Sequence, residues 1–252
     1  MPTERTSAGD PARTLQLLWQ DSPADRPKGP RRGLTVAAVV TAATGVADAE
    51  GLDALTMRRV AKDLGVVPMT LYTYVPGKAE LLDLMLDAAY RRMPRADTAG
   101  APWRDRLTAV AEENRALYAR HPWAAAVSTA RPPLGPGLMA KYEHELAALD
   151  GLGLDDVTLD ACLTHLLTFV QAWARAAADA RAAEQDSAMD DRQWWEANGP
   201  LLARVLDEEA YPLAVRVGAA AGAAHGGAYD PEHAYTFGLG RVLDGFAPLI
   251  DG

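Results

Sequence analysis

The sequence predicts an all-α protein, with a three-helix helix-turn-helix unit near the N-terminus and a larger helical body behind it. Three observations carry that prediction. Apolar residues recur at three- and four-residue spacing through every long segment. No stretch shows the strict alternation of a half-buried strand. Breaks rich in Gly and Pro separate the periodic segments. The 252 residues are 49% hydrophobic, enough to fill buried cores in a small and a medium unit.

Residues 1–33 hold Pro, Gly, Ser and charge with little periodicity, and read as a flexible arm. Leu15, Leu17, Leu18 and Trp19 form an apolar island within it, and Lys28, Arg31 and Arg32 make its end basic. From Leu34 to Ala49 the residues Val36, Val39, Val40, Ala43, Val46 and Ala47 share one helical face, and Gly51 suits the position just past the end. Thr56 reads as the N-cap of a short helix to Leu64, broken by Gly65. Pro68 suits the first turn of a second short helix over residues 67–74. A third runs from Lys78 to Arg92, with Leu81, Leu82, Met85, Leu86 and Ala89 on one face. Residues 34–95 therefore form the first unit and 96–252 the second. In the second, helices are expected over 103–120, 138–150, 155–183, 200–209 and 231–249. Residues 132–137 read as an irregular connection, 184–193 as loop, and 218–228 are ambiguous between helix and loop.

Charge is unevenly spread. Residues 28–95 carry ten Lys/Arg against seven Asp/Glu, and 96–252 carry twelve against twenty-three, within a total of −9. This argues against a general nucleic-acid coat, yet permits one basic face on a small module, because phosphate attraction is local. No apolar run is long enough to span a membrane, and the first thirty residues lack a secretory h-region, so a cytoplasmic protein without membrane partners is expected. Cys162, the single cysteine, excludes an internal disulfide and a zinc finger and is expected to pack in a helix core. No HExxH, CxxC, G-x-S-x-G or phosphate-loop pattern appears, so neither an enzyme nor a metal or other cofactor is expected.

The informative stretch is Ala49 to Leu86. Leu55, Val60, Ala61, Leu64 and Leu71 are spaced to bury one face of two short crossed helices, and Gly65 allows the turn between them. The residues left outside are Arg58, Arg59, Lys62, Met69, Thr70, Tyr72, Thr73, Tyr74 and Lys78. Thr70 and Thr73 offer hydroxyls and methyls to phosphates, base edges and thymine. Lys78 can neutralise a phosphate, and Arg58 can reach a phosphate or a base. Met69 completes the exposed set, while Tyr72 and Tyr74 suit either a DNA face or the core. Arg59 and Lys62 suit a solvated surface equally well.

At these residues the sequence resembles the tetracycline-repressor (TetR) family of bacterial regulators. The residues that carry the resemblance are Gly51-Leu52, Leu55-Thr56, Arg58, Val60-Ala61, Leu64-Gly65-Val66, Thr70-Leu71-Tyr72, Tyr74-Val75, Gly77-Lys78 and Leu81-Leu82, all in register over 34–92. A weaker likeness to the tetracycline-repressor branch continues in Pro102-Trp103, His121-Pro122-Trp123 and residues 235–246. The resemblance implies a ligand-responsive repressor that binds palindromic operator DNA as a homodimer and is released by a small molecule. The alternatives are a helix-turn-helix activator or regulator without a ligand and, more remotely, an all-helical enzyme. It also implies a four-helix dimer bundle from segments 155–183 and 231–249, with Phe237, Leu239, Leu243 and Phe246 at the interface or, alternatively, packed within one chain. One departure matters: the positions matching the family's magnesium–tetracycline histidines are Pro94 and Val127, neither able to ligate magnesium. The effector is therefore expected to be apolar or aromatic, with Trp103, Tyr118, Trp123, Tyr142, His165, Phe169 and Trp173 supplying the pocket. His144, Gln171 and Asn114 are its further polar candidates.

Overall fold

The computed structural model describes residues 4–20, 33–227 and 229–252. It is all-α, and outside its helices an isolated bridge joins Arg5 to Ser128. Twelve helices follow in order among the described residues: α1 Pro11–Leu18, α2 Val36–Glu50, α3 Met57–Asp63, α4 Pro68–Tyr72, α5 Lys78–Arg91, α6 Trp103–Arg120, α7 Pro122–Ala126, α8 Pro136–Ala147, α9 Asp156–Ser187, α10 Asp191–Ala203, α11 Pro212–His225 and α12 Pro231–Ile250.

The N-terminal helices form where their ends are satisfied locally. Thr35 and Thr56 have extended backbones, and their hydroxyls accept from Ala38 N and Arg59 N, each at 3.1 Å, capping α2 and α3. Gly51 at φ +80° ends α2, and Gly65 at φ +67° makes the turn between α3 and α4, a conformation other residues resist. Buried Val39, Val40, Ala43, Val46 and Ala47 turn α2 onto α3 and α5. Helix α5 is buried almost all round, Glu80, Asp83 and Asp87 included, because α1, α2 and α8 pack on three sides of it.

Two apolar clusters fill the molecule. The first gathers α1 to α5 and also takes Leu117, Trp123, Ala124 and Val127 from beyond residue 95. The second joins α6, the end of α8, α9 and α12 around Leu107, Leu149, Leu163, Leu166, Tyr235 and Leu243, with buried Cys162 packed among them.

Several segments differ from expectation. Residues 4–20 are not a loose arm. Asp10 caps α1, and Leu17 and Leu18 sink into the first core. The basic end at Lys28, Arg31 and Arg32 lies outside the described residues. The connection at 132–137 yields an early start to α8, capped from another helix: the Asp87 carboxylate of α5 accepts from Leu138 N at 2.9 Å. A Cβ on Gly135 or Gly137 would collide with Asp87, so both glycines are needed for that approach. Helix α9 continues to Ser187, where loop was expected, and α10 begins at Asp191 behind a capping box between Asp190 and Gln193.

Candidate nucleic-acid interface

Leu71 is the one buried residue of α4, held against the first core. The face this leaves outside carries Met69 at 73% exposure and Tyr72 at 45%, with Val67 exposed beside them. Thr73 is exposed, but its hydroxyl donates back to Thr70 O at 2.6 Å, so its methyl and lone pairs are what it presents outward. Thr70 is half-buried. Tyr74 is also half-buried and packs against the first core, which favours its structural alternative. On α3, Arg58 and Lys62 are exposed and have no ion pair among the described residues, whereas Arg59 is engaged by Glu50 at 2.6 Å and by Asp63. Lys78 is not a bare cation: its Nζ donates to Glu4 Oε1 at 2.7 Å and Leu52 O at 3.1 Å.

The residues expected to line one effector pocket do not converge. Trp103 lies at the far end of α6, its Nε1 donating to Asp251 at 3.0 Å. Trp123 is buried, and its Nε1 donates to Asp48 at 2.7 Å, tying α7 to α2. His121 Nδ1 meets the same carboxylate oxygen at 2.8 Å. Tyr142 is exposed and donates to Asp160 at 2.7 Å. His165 is exposed on α9, 6.0 Å from the Phe246 ring. Phe169 and Trp173 do meet, around Tyr235, with centroids 5.9 and 4.8 Å from it, and Arg115 lies over both Trp173 and Tyr235. An open recess of about 250 Å³ lies beside Arg175, between α7 and α9, walled by Pro122, Ala125 and Ala126. Gln171 donates to Ala125 O and Val127 O at its edge. His144 is held by Glu113 at 2.8 Å.

A polar network, of which the sequence suggested only Asn114 and Tyr118, lies where α6 and α8 meet. Lys141 and Glu145 form a buried pair at 2.7 Å, with side-chain exposures of 8% and 1%. Asn114 Nδ2 donates to Glu145 at 2.6 Å, and Asn114 Oδ1 is buried without a partner. The Lys141 ammonium stands 5.3 Å above the Tyr90 ring. Burial raises the phenol pKa of Tyr90 and Tyr118 well above the ordinary value, so both stay protonated. An i,i+4 Lys–Glu pair reads in sequence as a solvated surface pair; the burial that gives it meaning comes from α5 and α6.

The interface residues expected on α12 divide. Phe237 is 61% exposed. Leu239, Leu243 and Phe246 are instead buried in the chain's own second core, because α12 turns that stripe toward α9. Gly238 makes the approach close: a Cβ there would collide with the Phe169 ring.

A short helix pair in this register, set before a helical body with a polar network in its core, defines a helix-turn-helix regulator. Residues 39–85 match the model of bacterial regulatory proteins of the tetR family, and 95–250 match that of the tetracyclin repressor-like C-terminal domain. The chain belongs to the TetR family. It is 41% identical to the HTH-type transcriptional repressor DrrR1 of Streptomyces coeruleorubidus, over 98% of this chain and 90% of that protein. It is 38% identical to an HTH-type transcriptional regulator of Saccharopolyspora erythraea over 48% of this chain and 51% of that one. Among solved structures it is similar to ActR of Streptomyces coelicolor in complex with actinorhodin, with a TM-score of 0.71, 27% identity, and coverage of 86% of this chain and 97% of that one. Among the described residues no helix is long and apolar enough to cross a membrane, and no cluster of His, Cys, Asp and Glu suited to a metal ion occurs.

Proposed function

We propose that this chain is a ligand-responsive transcriptional repressor: a homodimer that reads a palindromic operator through α3 and α4 and releases it when an aromatic small molecule binds its α6–α9 body. The observation that carries the reading is the outer face of α4. A soluble surface gains nothing from a methionine at 73% exposure and a tyrosine at 45% side by side on a five-residue helix. As a groove-reading face beside Arg58 and Lys62, the same residues have partners in thymine methyls, base edges and phosphates. Residues 34–95 serve as the reading unit and 96–252 as the effector and dimer unit.

The dimer face is the outer side of α9 and α12. Ala161, Thr164, His165, Thr168 and Ala172 are exposed on α9, and Phe237, Arg241, Asp244, Gly245 and Leu249 on α12. Their small residues permit the close helix contact of a four-helix bundle. Two-fold symmetry of that bundle makes the operator palindromic.

The effector reading rests on the core network. A buried ion pair adds little stability over apolar packing, and an orphan buried acceptor costs it. Asn114 Oδ1, in the network with Lys141 and Glu145, offers a free acceptor to a guest bearing a hydrogen-bond donor. The structural relative ActR has been solved in complex with a small molecule, actinorhodin. A ligand that favours one spacing of the two α4 helices shifts the dimer toward release, with coupling of about 1–3 kcal/mol.

The test is fluorescence anisotropy of the purified protein on its own upstream intergenic DNA at two salt concentrations. Saturable, salt-sensitive binding that Tyr72→Ala and Arg58→Ala each weaken about tenfold is expected, with release on adding a hydroxylated polycyclic aromatic compound. Failure of unbiased selection from random DNA to return any preferred site overturns the reading.

A further inference from the structure

Residues 4–19 run across the front of α5 and close onto the segment between α7 and α8. Among the described residues, the polar partners they find outside the segment lie on those two elements or, through Lys78, beside them. On the connector, Ser128 N donates to Glu4 O at 2.9 Å, Thr6 N to Ser128 O at 3.1 Å, and Thr6 Oγ1 to Arg131 O at 2.6 Å. Trp19 Nε1 donates to Leu134 O at 2.8 Å. On α5, Ser7 N donates to Asp83 Oδ1 at 2.9 Å and Asp10 N to Glu80 Oε1 at 3.1 Å. The segment is shaped for this seat. Ser7 takes φ +53°, rare for a residue with a Cβ, and a side chain on Gly9 would collide with the Glu80 carboxylate. Leu17 and Leu18 anchor its far end in the first core.

The near end carries the consequence. Glu4 Oε1 lies 2.7 Å from Lys78 Nζ, and Leu52 O takes a second ammonium proton at 3.1 Å. Lys78 opens α5, the next helix after α4, where on the DNA-face reading a cation is placed to neutralise a backbone phosphate. A carboxylate and a phosphate cannot both hold that ammonium at close range. We propose that residues 4–19 form an autoinhibitory strap: Glu4 occupies Lys78 in competition with operator phosphate, and the strap is fastened to the effector half through Ser128, Arg131 and Leu134. This rests on the reading of α3–α4 as the DNA face. The strap lowers operator affinity while docked, and any displacement of the 128–134 connector changes its hold on Lys78.

The experiment measures operator affinity of the full chain against salt for wild type, Glu4→Gln, Ser7→Pro, Lys78→Ala and Glu4→Gln/Lys78→Ala. Glu4→Gln keeps the shape and removes the charge. Ser7→Pro removes the N–H that Asp83 receives and forbids φ +53°, so it lifts the strap by another route. Each is expected to tighten binding about three- to tenfold at low salt. The released lysine adds one phosphate contact, which steepens the log–log salt slope by about 0.9. Lys78→Ala is expected to abolish the gain from Glu4→Gln. Glu4→Gln binding as wild type, or a gain of equal size in the Lys78→Ala background, overturns the proposal. Failure of the underlying reading shows separately, as Tyr72→Ala binding no more weakly than wild type.

Discussion

Replacing Lys141 by Met keeps the length of the side chain and removes its charge, leaving Glu145, at 1% side-chain exposure, with only the Asn114 amide at 2.6 Å. An uncompensated buried charge costs about 3–5 kcal/mol. For a chain of this size 4 kcal/mol corresponds to a fall in Tm of roughly 8–16 °C. Adding Glu145→Gln to Lys141→Met removes the buried charge while keeping an acceptor for Asn114, and returns stability to within about 1 kcal/mol of wild type. The assay is urea unfolding followed by circular dichroism at pH 7, at one fixed protein concentration so that any self-association contributes equally. A Lys141→Met variant as stable as wild type would refute the argument, since it means water already screens the pair.

Further outcomes follow from single contacts. Gly65→Ala is expected to cost about 1–2 kcal/mol by thermal unfolding; a Cβ there meets nothing within 4 Å, so the whole cost is the left-handed backbone at φ +67°. Asp48→Ala removes the acceptor shared by Trp123 Nε1 and His121 and should lower stability by about 1.5–3 kcal/mol, read from the shift in urea midpoint. Phe237→Asp should leave helicity unchanged and reduce the sedimenting mass to one chain, whereas Leu243→Ala should cost about 2–5 kcal/mol of folding stability, because it hollows the chain's own core. Burial raises the Asp83 carboxyl from 3.8 to about 6 in the folded protein. The folded state then holds its proton more tightly than the unfolded one. This group therefore destabilises the protein above about pH 6, and stability recovers as pH falls from about 6 toward 4. Asp83→Asn is expected to be the more stable protein at pH 8 and to lose that advantage by pH 4 in matched urea titrations.

The helix-turn-helix was legible because its signals are local. Thr56 caps α3, Gly65 makes the turn and Pro68 opens α4, each acting on atoms within a few residues of itself. The long periodic faces of α6, α9 and α12 were legible for a related reason: a stripe repeated over several turns has one face to bury whatever lies opposite. Helix α1 escaped because its apolar island is short and its stability comes from the first core rather than from its own turns. The effector residues escaped in another way. Aromatic composition gave a supply of Trp and Tyr without their directions, and Trp103, Trp123 and Tyr142 turn out to be spent on Asp251, Asp48 and Asp160.

The sequence by itself determined that this chain is helical, where α3 and α4 begin and end, and which family it resembles, since caps, turns and periodicity act over neighbouring residues. Only the tertiary structure decided that Lys141 and Glu145 are core rather than surface, that Leu239, Leu243 and Phe246 face inward while Phe237 faces out, and that Lys78 is held by Glu4 from 74 positions away. Each of these depends on which remote element covers a side chain, and that is fixed by packing among helices distant in sequence.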